Sequence, residues 1–175
     1  MGAKDNTQKY GNITRIIHWV MALLFIWQSL TAVAHFLLPD TPIEDFFWPT
    51  HKPLGLILFT LAVIRMLWAF MNLSNRPKVV SVAAKLGHIA LYGLMVIVPL
   101  LALLRQYGSG RAFEPFGIPL MAGHSDKVAW MIEPGNLLHS TLAWLLFAAI
   151  VGHIIMAIWH RVSPSHENVF PRIWK

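Results

Sequence analysis

Apolar residues run through this chain in four long segments, over residues 16–38, 54–71, 86–104 and 137–159. Shorter stretches between them hold nearly all the charge. Each segment has roughly 18–23 residues, and at about 1.5 Å of rise per residue ~20 helical residues cross a ~30 Å hydrocarbon layer. A helix also satisfies its own backbone hydrogen bonds, which lipid demands. The pattern predicts an all-α fold: a transmembrane four-helix bundle, one domain over residues 1–175, with helices at about 14–38, 51–72, 84–105 and 136–160. The segment ends carry start and stop signals. Thr50 is placed to cap the second helix, whose first turn tolerates Pro53, and Asn72, Ser74 and Pro77 end it. Gly108 and Gly110 follow the third helix, in which Pro99 predicts a kink. Pro134, Gly135 and Asn136 precede the fourth. The longest connection, residues 106–136, is expected to hold a short surface helix. The first apolar segment is too long for the core of a cleaved signal peptide and is expected to remain as a span.

Composition agrees with lipid as part of the solvent. Hydrophobic residues make up 56 % and charged residues 13 %, where a soluble domain has about 25 % charged. There is no cysteine, which excludes disulfides, zinc–thiolate sites, iron–sulfur clusters and covalent c-type haem. A net charge of +6 would raise nucleic acid as a partner in a soluble protein. Here the basic residues flank apolar segments, so no nucleic acid is expected and the charge reports topology. Lys4, Lys9, Arg15, Arg76, Lys78, Lys85, Arg161, Arg172 and Lys175 share one side with only Asp5 and Glu167. Lys52, Arg105, Arg111 and Lys127 share the other with Asp40, Glu44, Asp45, Glu114, Asp126 and Glu133. Positively charged segments stay inside, so both termini are expected to be cytoplasmic.

Histidine is the informative residue, with nine in the chain. His18, His51, His88, His139, His153 and His160 lie in or at the edge of apolar segments, and His35 lies near the outer end of the first. Ionisable groups in a bilayer are costly and tend to mark function. His139 and His153 are fourteen residues apart, almost four full turns, so they share one helix face ~21 Å apart along the axis. A low-spin haem iron takes two strong axial ligands, which neutral imidazole supplies. Matching depth pairs His51 with His139 at an outer level and His18 with His153 at an inner one, giving two haem b groups stacked across the membrane. Arg65, fourteen residues after His51, would meet a haem propionate at the inner level, the alternative being an arginine that snorkels to the interface. Gly55, one turn below His51, and Gly152 would leave room beside a macrocycle, although small residues also let helices approach. His35 and His88 read as interhelical hydrogen-bonding groups and are the main rivals as ligands.

These residues resemble the bacterial cytochrome b561 family over nearly the whole chain. The likeness runs through Tyr10-Gly11, Ile17-His18-Trp19, His51-Lys52-Pro53-Leu54-Gly55, Val63-Ile64-Arg65, Leu86-Gly87-His88, Leu91-Tyr92, Pro99, Phe116-Gly117, His139, His153 and His160. The tail departs from the family pattern over Glu167-Asn168-Val169-Phe170-Pro171-Arg172-Ile173. The resemblance implies a dihaem cytochrome of the bacterial inner membrane with the same histidine pairs, exchanging electrons with ubiquinone as an exchangeable substrate. In its superoxide-oxidising branch the donor is superoxide at the periplasmic face and quinone is reduced near the cytoplasmic face. By that likeness His160 would lie near the quinone and move protons. The expectation is therefore electron transfer between a periplasmic donor and ubiquinone. The alternative is a haem-bearing subunit that serves a separate periplasmic redox protein without turnover of its own. A histidine proton relay in a transporter and a bare copper or zinc site are further alternatives, and the lack of close histidine spacings within the apolar segments speaks against the second.

Overall fold

The computed structural model describes residues 2–174; Lys175, counted above among the basic residues, lies outside them. Regular structure among the described residues is helical, apart from one isolated bridge between Phe113 and Met121. Four helices are long and apolar enough to cross a membrane: α1 (Asn12–Leu37), α3 (His51–Met71), α4 (Val82–Gly108) and α5 (Ala129–Val162). Two short helices, α2 (Pro42–Phe47) and α6 (Pro171–Trp174), lie in the connection after α1 and in the tail. Both chain ends meet at one end of the bundle, where the Tyr10 amide donates to the Arg172 carbonyl at 3.0 Å. That end is called the terminal end below, and the opposite one the loop end.

The bundle is closely packed in only part of its circumference. α4 and α5 lie along one another, α1 packs on α3, and α3 packs on α4. A buried core cluster takes one residue from each span, Met21, Ala62, Met95 and Leu146. Elsewhere the spans carry large exposed apolar side chains, among them Leu23, Leu67, Leu137 and Ile155, a surface suited to lipid. α4 and α5 pack closely at the loop end, where glycines permit it. A Cβ on Gly135 would sit 2.6 Å from Arg105 Cβ and 2.8 Å from the Leu101 carbonyl, and one on Gly108 would sit 2.5 Å from Met131 Cβ.

The connections differ from expectation in three places. Thr50 precedes α3 without capping it: its hydroxyl donates to the Phe47 carbonyl at 2.7 Å and accepts from the Trp27 indole at 2.9 Å. A three-residue helical turn, Trp48–Thr50, already supplies the backbone lead-in. α2 was not visible as a periodic segment because it spans six residues; Thr41 caps it and Pro42 opens it. α5 begins at Ala129 and takes Pro134, Gly135 and Asn136 into its body, because tight packing of Gly135 on α4 favours continuing the helix there. The connection between α4 and α5 is shortened accordingly, and it holds a three-residue turn at Pro115–Gly117 in place of a surface helix.

The terminal end is a tied structure. Asp5 is buried, accepts from the Gly11 amide at 2.9 Å and the Thr14 hydroxyl at 2.6 Å, and pairs with Arg76 at 3.1 Å. The tail folds back over it. Arg172 donates to the Lys78 carbonyl at 2.8 Å and pairs with Glu167, while Arg15 donates to the carbonyls of Ile173 and Trp174.

Candidate functional site

At the loop end His51, the first residue of α3, faces His139 of α5 with ring centres 6.4 Å apart and planes at 83°. Each ring is held from behind through Nδ1. For His139 the acceptor is the Val98 carbonyl of α4, at 3.0 Å. For His51 the contact is the Thr31 hydroxyl of α1, at 2.7 Å. The Gln28 amide nitrogen donates to the His51 carbonyl at 3.2 Å, lies 3.2 Å from His51 Nδ1 and 3.3 Å from Nε2, and borders the space beside Gly55, 3.6 Å from where a Cβ would be. Trp48 tilts against His51 at 4.7 Å and stacks flat on His35 at 3.7 Å. His35 is thereby engaged at the surface, with its Nδ1 on Glu44 at 2.5 Å, and takes no part in the pair.

At the terminal end His18 of α1 faces His153 of α5 with ring centres 6.3 Å apart and planes at 83°. His88 of α4 also approaches His153, at 5.6 Å and 69°. His18 Nδ1 and Arg65 Nε are buried without a hydrogen-bond partner, and the Arg65 guanidinium lies 5.6 Å over the Tyr92 ring. Leu146, seven residues from His139 and from His153, belongs to the core cluster between the two levels. His160 stands apart in the last turn of α5, its Nδ1 on the Glu167 carbonyl of the tail at 3.1 Å and its ring 5.1 Å from His166.

The two separations have a common chemical meaning. Metal–imidazole bonds run about 2.0–2.1 Å and a ring centre lies ~1 Å behind its nitrogen, so two imidazoles on opposite sides of one metal have centres ~6 Å apart. Both pairs meet that condition. Among the described residues no three histidine, cysteine, aspartate or glutamate side chains converge as a bare ion would require. A flat macrocycle, with its metal at the centre and its edges between the helices, fits two facing ligands. The orphaned Arg65 nitrogen fits the acidic edge of such a group, because a buried guanidinium without an anion is costly.

The family described as prokaryotic cytochrome b561 matches residues 9–172. The chain belongs to the prokaryotic cytochrome b561 family. It is also 25 % identical to cytochrome b561 homolog 2 of Escherichia coli (strain K12) over 180 residues, covering 97 % of this chain and 93 % of that protein. A member of the cytochrome b561 family is a multi-pass membrane protein that binds haem b and transfers electrons, and the four apolar spans agree.

Several residues of these sites escape sequence reasoning. Thr31, Gln28 and Trp48 carry no motif, and Tyr92 enters only through the Leu91-Tyr92 likeness. Thr31 and Gln28 are polar positions inside an apolar span, and that was the available signal. The histidine spacing places one ring at each level, and only the fold supplies what stands behind it.

Proposed function

We propose that this cytochrome b561 family member holds two haem b groups, one between His51 and His139 and one between His18 and His153. It carries electrons across the bacterial inner membrane from a periplasmic donor to ubiquinone. The observation that carries the reading is the pair of equal ring separations, 6.4 Å and 6.3 Å, at two levels of one bundle with a packed layer between. Bound haem supplies the reversible one-electron change, and the protein sets its ligation, orientation and potential.

In this reading the four histidines hold the irons, and Arg65 neutralises a propionate at the terminal-end site. Gly55 and Gly152 keep side chains away from the ring edges. His160, at the terminal end, takes up a proton and hands it toward the quinone, a role suited to imidazole. The bias of basic residues supports a cytoplasmic terminal end and therefore a periplasmic loop end.

Superoxide at the loop end is one donor the family resemblance suggests. The charge distribution favours a second reading. Six acidic residues share that end with four basic ones, so a positive field that would gather a small anion is lacking, and a periplasmic redox protein docking on the loop end fits better. Ubiquinone reduction by the purified protein with superoxide alone decides between them. Turnover without a partner favours the oxidase, and none favours the carrier.

Haem-to-protein ratios in His18→Ala, His51→Ala, His139→Ala and His153→Ala test the central reading. The parent is expected to hold two haems and each variant to lose mainly one. The losses should fall into two spectroscopic classes, His18 with His153 and His51 with His139. A parent with one haem, or losses that pair differently, would refute the assignment.

A further inference from the structure

Thr31 lies in the second half of α1 and is wholly buried. Its Oγ1 is 2.7 Å from the Gln28 carbonyl and 2.7 Å from His51 Nδ1. A hydroxyl has one proton to donate and two lone pairs to offer. A threonine within a helix commonly gives its proton to a carbonyl of the preceding turn. Donation to Gln28 turns the Oγ1 lone pairs toward His51, so Nδ1 carries the hydrogen and donates it. Nε2 is then the nitrogen with the lone pair, and the Gln28 amide nitrogen, 3.3 Å from it, is the group that a metal there would displace. His139 is arranged in the same way through the Val98 carbonyl. His18 differs, because its Nδ1 is buried with no partner. The two levels thus have equal spacing between facing rings but unequal support behind them.

We infer that Thr31 is a positioning residue for His51, fixing its tautomer and making it a stronger electron donor to the metal, and that it thereby lowers the reduction potential of the loop-end haem. The inference rests on the two-haem reading above. The physical step is general: a hydrogen bond accepted from the far side of a ligating imidazole fixes the ring and raises its donor strength. A stronger donor favours the oxidised iron, and hydrogen bonding behind the ligand is one of the protein's means of setting a haem potential. Thr31 is unlike the backbone acceptor at Val98 in being removable by substitution.

Thr31→Val keeps the shape of the side chain and removes the acceptor, whereas Thr31→Ser keeps the acceptor and removes a methyl group. The measurement is a redox titration of the intact, haem-loaded protein, followed optically and by the low-spin signals of each haem in electron paramagnetic resonance. In Thr31→Val the reduction equilibrium of one haem is expected to shift about tenfold toward the reduced form. For a one-electron couple this is a rise of ~59 mV. The other haem should not move, and Thr31→Ser should stay near the parent. Loss of one haem in Thr31→Val with retention in Thr31→Ser also supports the inference. It is overturned if Thr31→Val keeps both haems at parental potentials, or if both substitutions disturb the site equally, which would leave Thr31 a packing residue. A parent with fewer than two haems, or a His51→Ala variant that keeps both, would instead refute the underlying assignment.

Discussion

Arg65 is the residue whose environment asks most for a partner. Its Nε is buried and unpaired, and Tyr92 offers the guanidinium only a ring face. Leaving a buried donor unsatisfied costs about 1–3 kcal/mol, and more for a charged group. A propionate would remove that cost, and the positive charge would favour the reduced, less positive haem beside it. Arg65→Met is therefore expected to shift the terminal-end haem about tenfold toward the oxidised form, or ~59 mV lower for one electron. Arg65→Lys should keep most of the potential while losing the planar two-pronged contact. Titration of the two variants checks both, and an unchanged potential in Arg65→Met would mean that the side chain faces no haem. Residue-level chemistry was largely legible in the sequence where it repeats with helical spacing. His139 and His153 share a face because fourteen residues make nearly four turns. Thr31 and Trp48 were not legible, because they act across helices and sequence distance says nothing about which spans become neighbours.

The spans were readable in number and type, but their joints and the short helices were not. The four spans follow from apolar length alone. Thr50 was a reasonable cap by residue type, yet its hydroxyl is taken by the Phe47 carbonyl and the Trp27 indole. Pro134 and Gly135 read as the lead-in to the fourth helix, and the structure takes them into its body. The seam between α4 and α5 depends on Gly135, where a Cβ would press on Arg105 Cβ and on the Leu101 backbone. Backbone cannot yield as a flexible side chain can, so Gly135→Ala should part the helices at the loop end and cost about 1–3 kcal/mol as overpacking. The same seam carries the bond from His139 to the Val98 carbonyl. The variant should therefore have a lower thermal midpoint in detergent and lose more haem from the loop-end site than from the other. Equal loss from both sites would show that the seam supports the bundle as a whole and not His139.

At the scale of the whole molecule the two ends are built differently. The terminal end is locked by Asp5 with Arg76 and by the returning tail. At the loop end, Trp48 and His35 stack beside His51, with Glu44 on the His35 ring. Which end meets which compartment decides where donor and quinone act, and the lysine and arginine bias predicts that the terminal end is inside. The absence of cysteine makes this directly measurable, because one substitution gives one reactive thiol. Ser125 and Ser165 are exposed on opposite ends. In intact spheroplasts a membrane-impermeant maleimide should label Ser125→Cys promptly. Ser165→Cys should stay protected until the membrane is permeabilised. The reverse pattern would put His160 and the folded tail outside, and the proposed quinone and donor ends would have to be exchanged. The paired imidazoles would stand in that case, since their separations do not depend on which way the bundle faces.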